Sequence, residues 1–284
     1  MRISLVVSKI GNLMNFFLRI IRYVRLHITR DPKFFFTYLL QYCNPFYQST
    51  ISFTNTDSIV SFLEQGKSLI RLGDGEIYIL NEGRLSFQSF DPKLKQHLQR
   101  CISEYTPNSP YVLGLNRVPL LMSNLALRRH GLLSCWLPSK VYYQLYFNKN
   151  VTYFDAAVFY DKDALAKYIE SYCKKKKIII LSNQSNLDRF KANNTIPFSV
   201  TAFIETPEND TFSEYDLIKD HVLTLAEQHG MNEVLIFVAC GPAGKVLAYE
   251  LALSGIQAVD IGNGIEVAYS DKNHILNEAI RMLQ

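Results

Sequence analysis

Val234-Leu235-Ile236-Phe237-Val238-Ala239-Cys240-Gly241-Pro242-Ala243-Gly244-Lys245 is the stretch that decides the fold. Its apolar run, rich in β-branched and aromatic residues, reads as a buried strand. The glycines and proline that follow read as a turn. Residues 245–254 then form a helix stopped by Gly255, and 257–261 form the next strand. A strand, a glycine turn, a helix and a second strand make up the repeating unit of a parallel sheet. Such a turn aims free backbone N–H groups at an anion such as a diphosphate. Gly241, Pro242, Gly244 and Lys245 are therefore candidates for a nucleotide-binding site. The turn is neither a Walker loop nor a clean G-x-G-x-x-G. Asp260 lies 19 residues after Gly241, close to the ribose-binding spacing of dinucleotide folds. Small residues at a helix start can also serve only to pack it on the sheet, so both readings of the turn stand.

Working outward, residues 215–228 read as an amphipathic helix and 199–204 as a strand. Four lysines, 174–177, lead into a buried strand at 178–181, which ends in a polar loop at Ser182-Asn183. Residues 161–173 read as a helix, and 111–115 and 151–160 as strands. A helix begins near Asp91-Pro92, with an acid and a proline in its first turn. Residues 58–64 form a short helix, and 68–72 a strand that ends in Gly73-Asp74-Gly75-Glu76. This alternation predicts an α/β fold, a mainly parallel sheet with helices on both faces. Ligands of such sheets sit at the carboxyl ends of the strands, where both glycine-rich motifs fall.

The motif Arg71-Leu72-Gly73-Asp74-Gly75-Glu76 carries the clearest chemistry. Two carboxylates two residues apart, flanked by glycines, suit a hard cation such as Mn²⁺ or Mg²⁺ that shares its coordination sphere with phosphate oxygens. Such a metal neutralises charge growing on a leaving diphosphate. Asp74 and Glu76 are the candidate ligands, and Arg71 and Gly73 the candidate phosphate contacts. A tight turn in which Asp74 caps backbone amides is the competing reading. Further on, Asp260-Ile261-Gly262-Asn263-Gly264-Ile265-Glu266 again sets carboxylates and glycines just past a strand. Glu266 is a candidate acid/base, and Asp260 a candidate donor contact.

Composition bounds the rest. The chain has 284 residues, 48% hydrophobic and 20% charged, an ordinary globular balance. The five cysteines Cys43, Cys101, Cys135, Cys173 and Cys240 are scattered, with no C-x-x-C. That argues against a disulfide framework or a zinc site and for a reducing compartment. The net charge of +4 is concentrated in residues 1–50, where Arg2, Lys9, Arg19, Arg22, Arg25, Arg30 and Lys33 face only Asp31. The positive charge therefore belongs to one end of the chain and does not form a nucleic-acid surface over the domain. Residues 3–28 are apolar but interrupted by polar and basic positions, so they are neither a clean membrane span nor a signal peptide. On a helix, Arg19, Arg22 and Arg25 oppose Phe16, Phe17, Ile20, Ile21, Val24 and Ile28. This suits an anionic membrane surface, or a helix that packs on the domain or a partner and points its arginines to water. The expected organisation is a basic amphipathic helical arm over 1–50, joined to a catalytic domain over 51–284 by a polar linker at 48–57.

Three segments in order resemble the GT-D-fold glycosyltransferase family. They are the R-x-G-D-G-E of 71–76, then Glu205-Thr206-Pro207-Glu208-Asn209 with Tyr215-Asp216, and Gly241-Pro242-Ala243-Gly244-Lys245-Val246-Leu247-Ala248 leading into 257–262. The likeness runs from about residue 57 to 269 and omits the arm. It implies a Rossmann-like fold, a metal motif at Asp74 and Glu76, a UDP-sugar donor with Mn²⁺, and transfer onto a growing glycan. One departure stands out: Asn263 occupies the place of the family's usual histidine, and asparagine cannot act as a base. The expected protein is a cytoplasmic transferase, peripheral at the inner face of the cell membrane through residues 1–50, with a glycan or lipid-linked acceptor and no nucleic-acid partner. The alternatives are a non-catalytic, membrane-associated subunit that binds nucleotide sugars, and an NAD-dependent oxidoreductase, which would use Asp260 but leave Asp74 and Glu76 idle.

Overall fold

A computed structural model of the chain describes residues 31–160, 162–192 and 198–262. Seven strands form one sheet in the order β3-β2-β1-β7-β6-β4-β5, every adjacent pair parallel. They are β1 Ser68–Leu72, β2 Tyr111–Leu115, β3 Phe154–Asp155, β4 Lys177–Ser182, β5 Val200–Glu205, β6 Val234–Ala239 and β7 Ala258–Asp260. The chain winds outward from β1 through β2 to β3, crosses to the other half, and returns so that β7 closes against β1.

Side chains alternate across the strands, so each face of the sheet has its own core. Ile70, Leu72, Ile179, Leu181, Ile236 and Val238 point to one face. Leu69, Ile178, Ile180, Leu235, Phe237 and Val259 point to the other. The second face is covered by α2 Thr56–Glu64, α8 Lys162–Ser171 and α9 Gln184–Ala192. The first is covered by α1 Pro32–Cys43, α3 Asp74–Leu80, α4 Pro92–Ser103, α7 Leu133–Tyr146, α10 Tyr215–His229 and α11 Gly241–Leu253. The short helices α5 Arg117–Leu121 and α6 Asn124–Arg129 lead into α7. Asp91 caps α4 by accepting from the N–H groups of Lys93 and Leu94, with Pro92 in the first turn, as its sequence predicts.

Four expectations are corrected. The loop expected at 73–76 is the first turn of α3, so Asp74 and Glu76 ride on a helix. The turn expected at 241–244 is the first turn of α11, which starts at Gly241 and not Lys245. The strand expected over 151–160 shrinks to Phe154–Asp155, followed by a 3₁₀ turn at Val158–Tyr160; only two residues pair with β2 at this edge. The fourth concerns the boundary at residue 50. α1 packs along α7 and places Phe34 in the core, while the presumed linker is pinned by Ser49 N–H to the Leu120 carbonyl and by a bridge from Phe53 to Tyr153. The fold therefore takes in residues from Asp31 onward, and the arm reading is left to residues 1–30, which lie outside the described residues.

Candidate active site

β1, β6 and β7 are neighbours at the centre of the sheet, and their carboxyl ends carry the motif residues to one place. Arg71 is the fourth residue of β1, and its backbone N–H donates to Asp260 Oδ2 at 3.2 Å. Its guanidinium lies 3.5 Å from Asp260 Oδ1, donates to the Ala156 carbonyl at 3.3 Å, and rests over the Phe159 ring. Asp260 ends β7 and is only 1% exposed. From the first turns of α11, Lys245 reaches across to Asp260 Oδ2 at 3.1 Å and to Glu76 Oε1 at 3.7 Å. Glu76 closes the first turn of α3 on itself: its Oε2 accepts from Gly73 N–H at 2.8 Å, the carboxylate half of a capping box. Four charged side chains from three strand ends thus form one buried network.

Burial pushes the Asp260 carboxyl up, but Lys245 and Arg71 outweigh it and hold the group below the usual carboxylate range. Burial pulls Lys245 down, and Asp260 and Glu76 outweigh that, so its ammonium is held above the ordinary lysine value. Both shifts describe the same ion pair. Asp74 sits at the rim of this network. Its Oδ2 accepts from the Cys135 thiol of α7 at 2.6 Å. Burial, then the Asp74 carboxylate, pushes that thiol up to about 12, so it stays a neutral donor. Burial pushes the Cys240 thiol to about 12 as well. Beneath Asp74 and Glu76, Tyr143 of α7 is fully buried and donates to the Leu72 carbonyl at 3.3 Å. Burial, then Glu76 and Asp74, raises its hydroxyl well above the ordinary tyrosine value.

The glycines have distinct tasks. Gly241 has φ +61°, a left-handed conformation that costs any other residue strain. A Cβ there would meet the ring edge of Phe87 at 3.1 Å. Phe87 belongs to a loop latched by Asp210, which accepts from Ser89 N–H and donates its own N–H to the Phe87 carbonyl. Gly244 lies against β6. A Cβ there would come within 2.6 Å of Val238 and 3.0 Å of the Cys240 sulfur, so the missing side chain lets α11 pack onto β6. Pro242 is buried in the same turn. Gly262 is the third constrained glycine, with φ +44°; a Cβ would collide with the Arg71 guanidinium at 2.3 Å. Glu266 and Asn263 lie outside the described residues.

The structure thus brings Arg71, Gly73, Glu76, Lys245 and Asp260 together and sets Asp74 and Gly241 beside them. Sequence reasoning missed Cys135, Tyr143 and Phe87. None lies in a motif; Cys135 and Tyr143 come from α7, and Phe87 from a loop.

Asp74 and Glu76, both in the first turn of α3, are the oxygen donors that a divalent cation would use here. The paired side chains Arg71, Lys245, Glu76 and Asp260 balance in formal charge, and Asp74, bonded to Cys135, adds a carboxylate beside them. Among the described residues no group of three or more His, Cys, Asp or Glu side chains converges as a cage. A Mg²⁺-type ion held by Asp74 and Glu76 would complete its sphere with phosphate and water.

The chain is 26% identical over 233 residues to the probable glycosyl transferase Gly of Streptococcus gordonii, a match covering 75% of this chain and 32% of that protein. It therefore spans about a third of that relative's length. Its fold is that of a solved domain described as having a distinct glycosyltransferase fold (TM-score 0.60, 24% identity, 78% of this chain and 80% of that one). It is also that of a structure from Streptococcus sanguinis described as a new glycosyltransferase (TM-score 0.56, 21% identity, 77% and 83%). The model of the glycosyltransferase GT-D fold family matches residues 69–281, most of the chain and all of the charged network, and the chain belongs to that family.

Proposed function

We propose that the protein transfers a sugar from a nucleoside-diphosphate donor, a UDP-sugar by family resemblance, to a glycan or lipid-linked acceptor, with Mn²⁺ or Mg²⁺ at Asp74 and Glu76. The observation that supports this reading is the buried charged network at the ends of β1, β6 and β7, where Glu76 and the Asp74 beside it sit next to the Arg71 and Lys245 cations. When bound, the cation supplies positive charge to the leaving diphosphate. The chain's own residues do the positioning. Lys245 holds Glu76 and Asp260 in fixed relation, and Arg71 is locked by Asp260 and the Ala156 carbonyl. Preorganised charges of this kind stabilise developing charge without reorganising. Arg71 Nε is buried with no hydrogen-bond partner among the described residues, a donor left over for an anionic ligand. The start of α11 offers backbone N–H groups under the Phe87 loop. The acid/base role rests with Glu266, on sequence grounds.

The dinucleotide reading loses its main support. Asp260 is buried and its oxygens are engaged by Arg71 and Lys245, so it is not available to a ribose hydroxyl.

Donor hydrolysis against a panel of nucleotide sugars, with and without Mn²⁺, tests the proposal. Release of UDP from at least one UDP-sugar, abolished by chelation and restored by Mn²⁺, is expected. Hydrolysis that ignores the metal, or stabilisation by NAD alone, would contradict it.

A further inference from the structure

The outward side of α1 carries a feature the sugar chemistry does not use. Phe34, Tyr38 and Gln41 turn inward; Phe34 and Tyr38 join the core and Gln41 bonds to Gln144 of α7. Phe36, Leu39, Leu40 and Tyr42 turn outward, with Phe36 59% and Leu40 74% exposed. Phe46, in the turn just after the helix, is 77% exposed. That turn is fastened to α6, whose Leu125 N–H donates to the Pro45 carbonyl. Large side chains grouped in this way mark an interaction surface.

Basic groups rim the patch. Lys33 lies one turn before Phe36 on the same side of α1 and is exposed. Arg128 of α6 stacks over the Tyr42 ring and donates to the Tyr42 carbonyl, and Arg129 and His130 beside it are exposed. Asp31, before the first turn of α1, is occupied in capping Phe34 and in bonding the Tyr146 hydroxyl. The sequence before it adds Arg2, Lys9, Arg19, Arg22, Arg25 and Arg30 with no acid. An apolar stripe inside a positive rim complements a layer with acyl chains inside and negative headgroups outside. It does not complement a second copy of itself, which would press like charges together.

We propose that this face, formed by α1, the Phe46 turn and the exposed end of α6, docks the domain on an anionic lipid surface. Phe36, Leu40 and Phe46 enter the interface, and Lys33, Arg128 and Arg129 meet the headgroups. The inference stands apart from the sugar-transfer reading, because it needs neither donor nor metal. It also gives the site an orientation: α7 is packed between α1 and α3, and its Cys135 touches Asp74. One helix therefore separates the lipid-facing stripe from the metal motif.

Co-sedimentation of the full chain with vesicles tests it, using phosphatidylcholine alone and phosphatidylcholine mixed with phosphatidylglycerol. Two variants are compared, F36S/L40S/F46S and R128Q/R129Q, with melting curves and donor hydrolysis as controls. The wild-type chain should partition onto the mixed vesicles and hardly onto the neutral ones. Losing two headgroup contacts should weaken partition roughly thirty-fold, and losing three apolar anchors at least about tenfold, with fold and hydrolysis unchanged. Should the apolar variant unfold, the arginine pair decides alone. Undiminished partition of the folded variants would overturn the proposal, since residues 1–30 would then account for all binding. So would equal binding to neutral vesicles, no binding to either kind, or a wild-type dimer in sedimentation velocity that the apolar variant turns into monomer.

Discussion

Asp260 is buried among three strands and yet stays ionised, because Lys245 and Arg71 together outweigh the cost of its desolvation. Removing its charge leaves two buried cations facing each other, which costs about 3–5 kcal/mol for a pair broken on one side. Asp260→Asn is therefore expected to lower unfolding free energy by that order at neutral pH in urea titrations. Its folded pKa lies below the unfolded value of about 3.9, so its contribution is present above that pH and fades as pH falls through the folded value. The variant's acid limb should accordingly be flatter than the wild type's. Lys140 tests the opposite sign. It is buried on α7, donates to the Met122 carbonyl and to Asn124 Oδ1, and faces no carboxylate in these contacts. Burial pulls its ammonium down to about 8. Between about pH 8 and the ordinary lysine value of about 10.4, the unfolded chain holds more protons, so stability contributed by this group rises with pH. Subtracting the pH profile of Lys140→Met from that of the wild type should expose this slope. A flat difference would mean that Lys140 titrates normally.

Among the elements, β6 was readable because a buried parallel strand is a short apolar run bounded by turn residues, and 234–238 is such a run; β7 was readable from its place after the helix stop at Gly255. α7 was not readable. It is buried along Trp136, Leu137, Lys140, Val141 and Tyr143, so no polar face repeats every 3.6 residues, and Pro138 interrupts its interior. The start of α3 looked like a loop because Gly73-Asp74-Gly75 has poor helix propensity. The fold overrides that preference with the Glu76 capping contact and with Ile77, Ile79 and Leu80 in the core. α1 resembled a detachable arm because its outer side is apolar as well. Its inner side makes it part of the domain: Phe34→Ala should cost about 3–5 kcal/mol, the usual range for emptying a core aromatic site. A melting temperature within a degree or two of the wild type's would show that α1 is only loosely attached.

Across the whole molecule, the sequence pattern predicts the α/β class, the parallel sheet and the place of the site, because alternating strands and helices can bury their apolar faces in few other ways. It could not show which carboxylates remain open to a ligand. That depends on partners far apart in the chain, such as Cys135 for Asp74 and Lys245 for Asp260 and Glu76. The proposed cation at Asp74 and Glu76 underlies the whole account, since it would make nucleotide affinity depend on that cation. Calorimetric titration of UDP with Mn²⁺ into the wild-type protein, Asp74→Asn and Glu76→Gln measures that dependence most directly. The account predicts binding by the wild type only when Mn²⁺ is present, and loss of about tenfold or more in each variant with melting temperature little changed. Unchanged Mn²⁺–UDP affinity in both variants, or equal UDP affinity without metal, would contradict it.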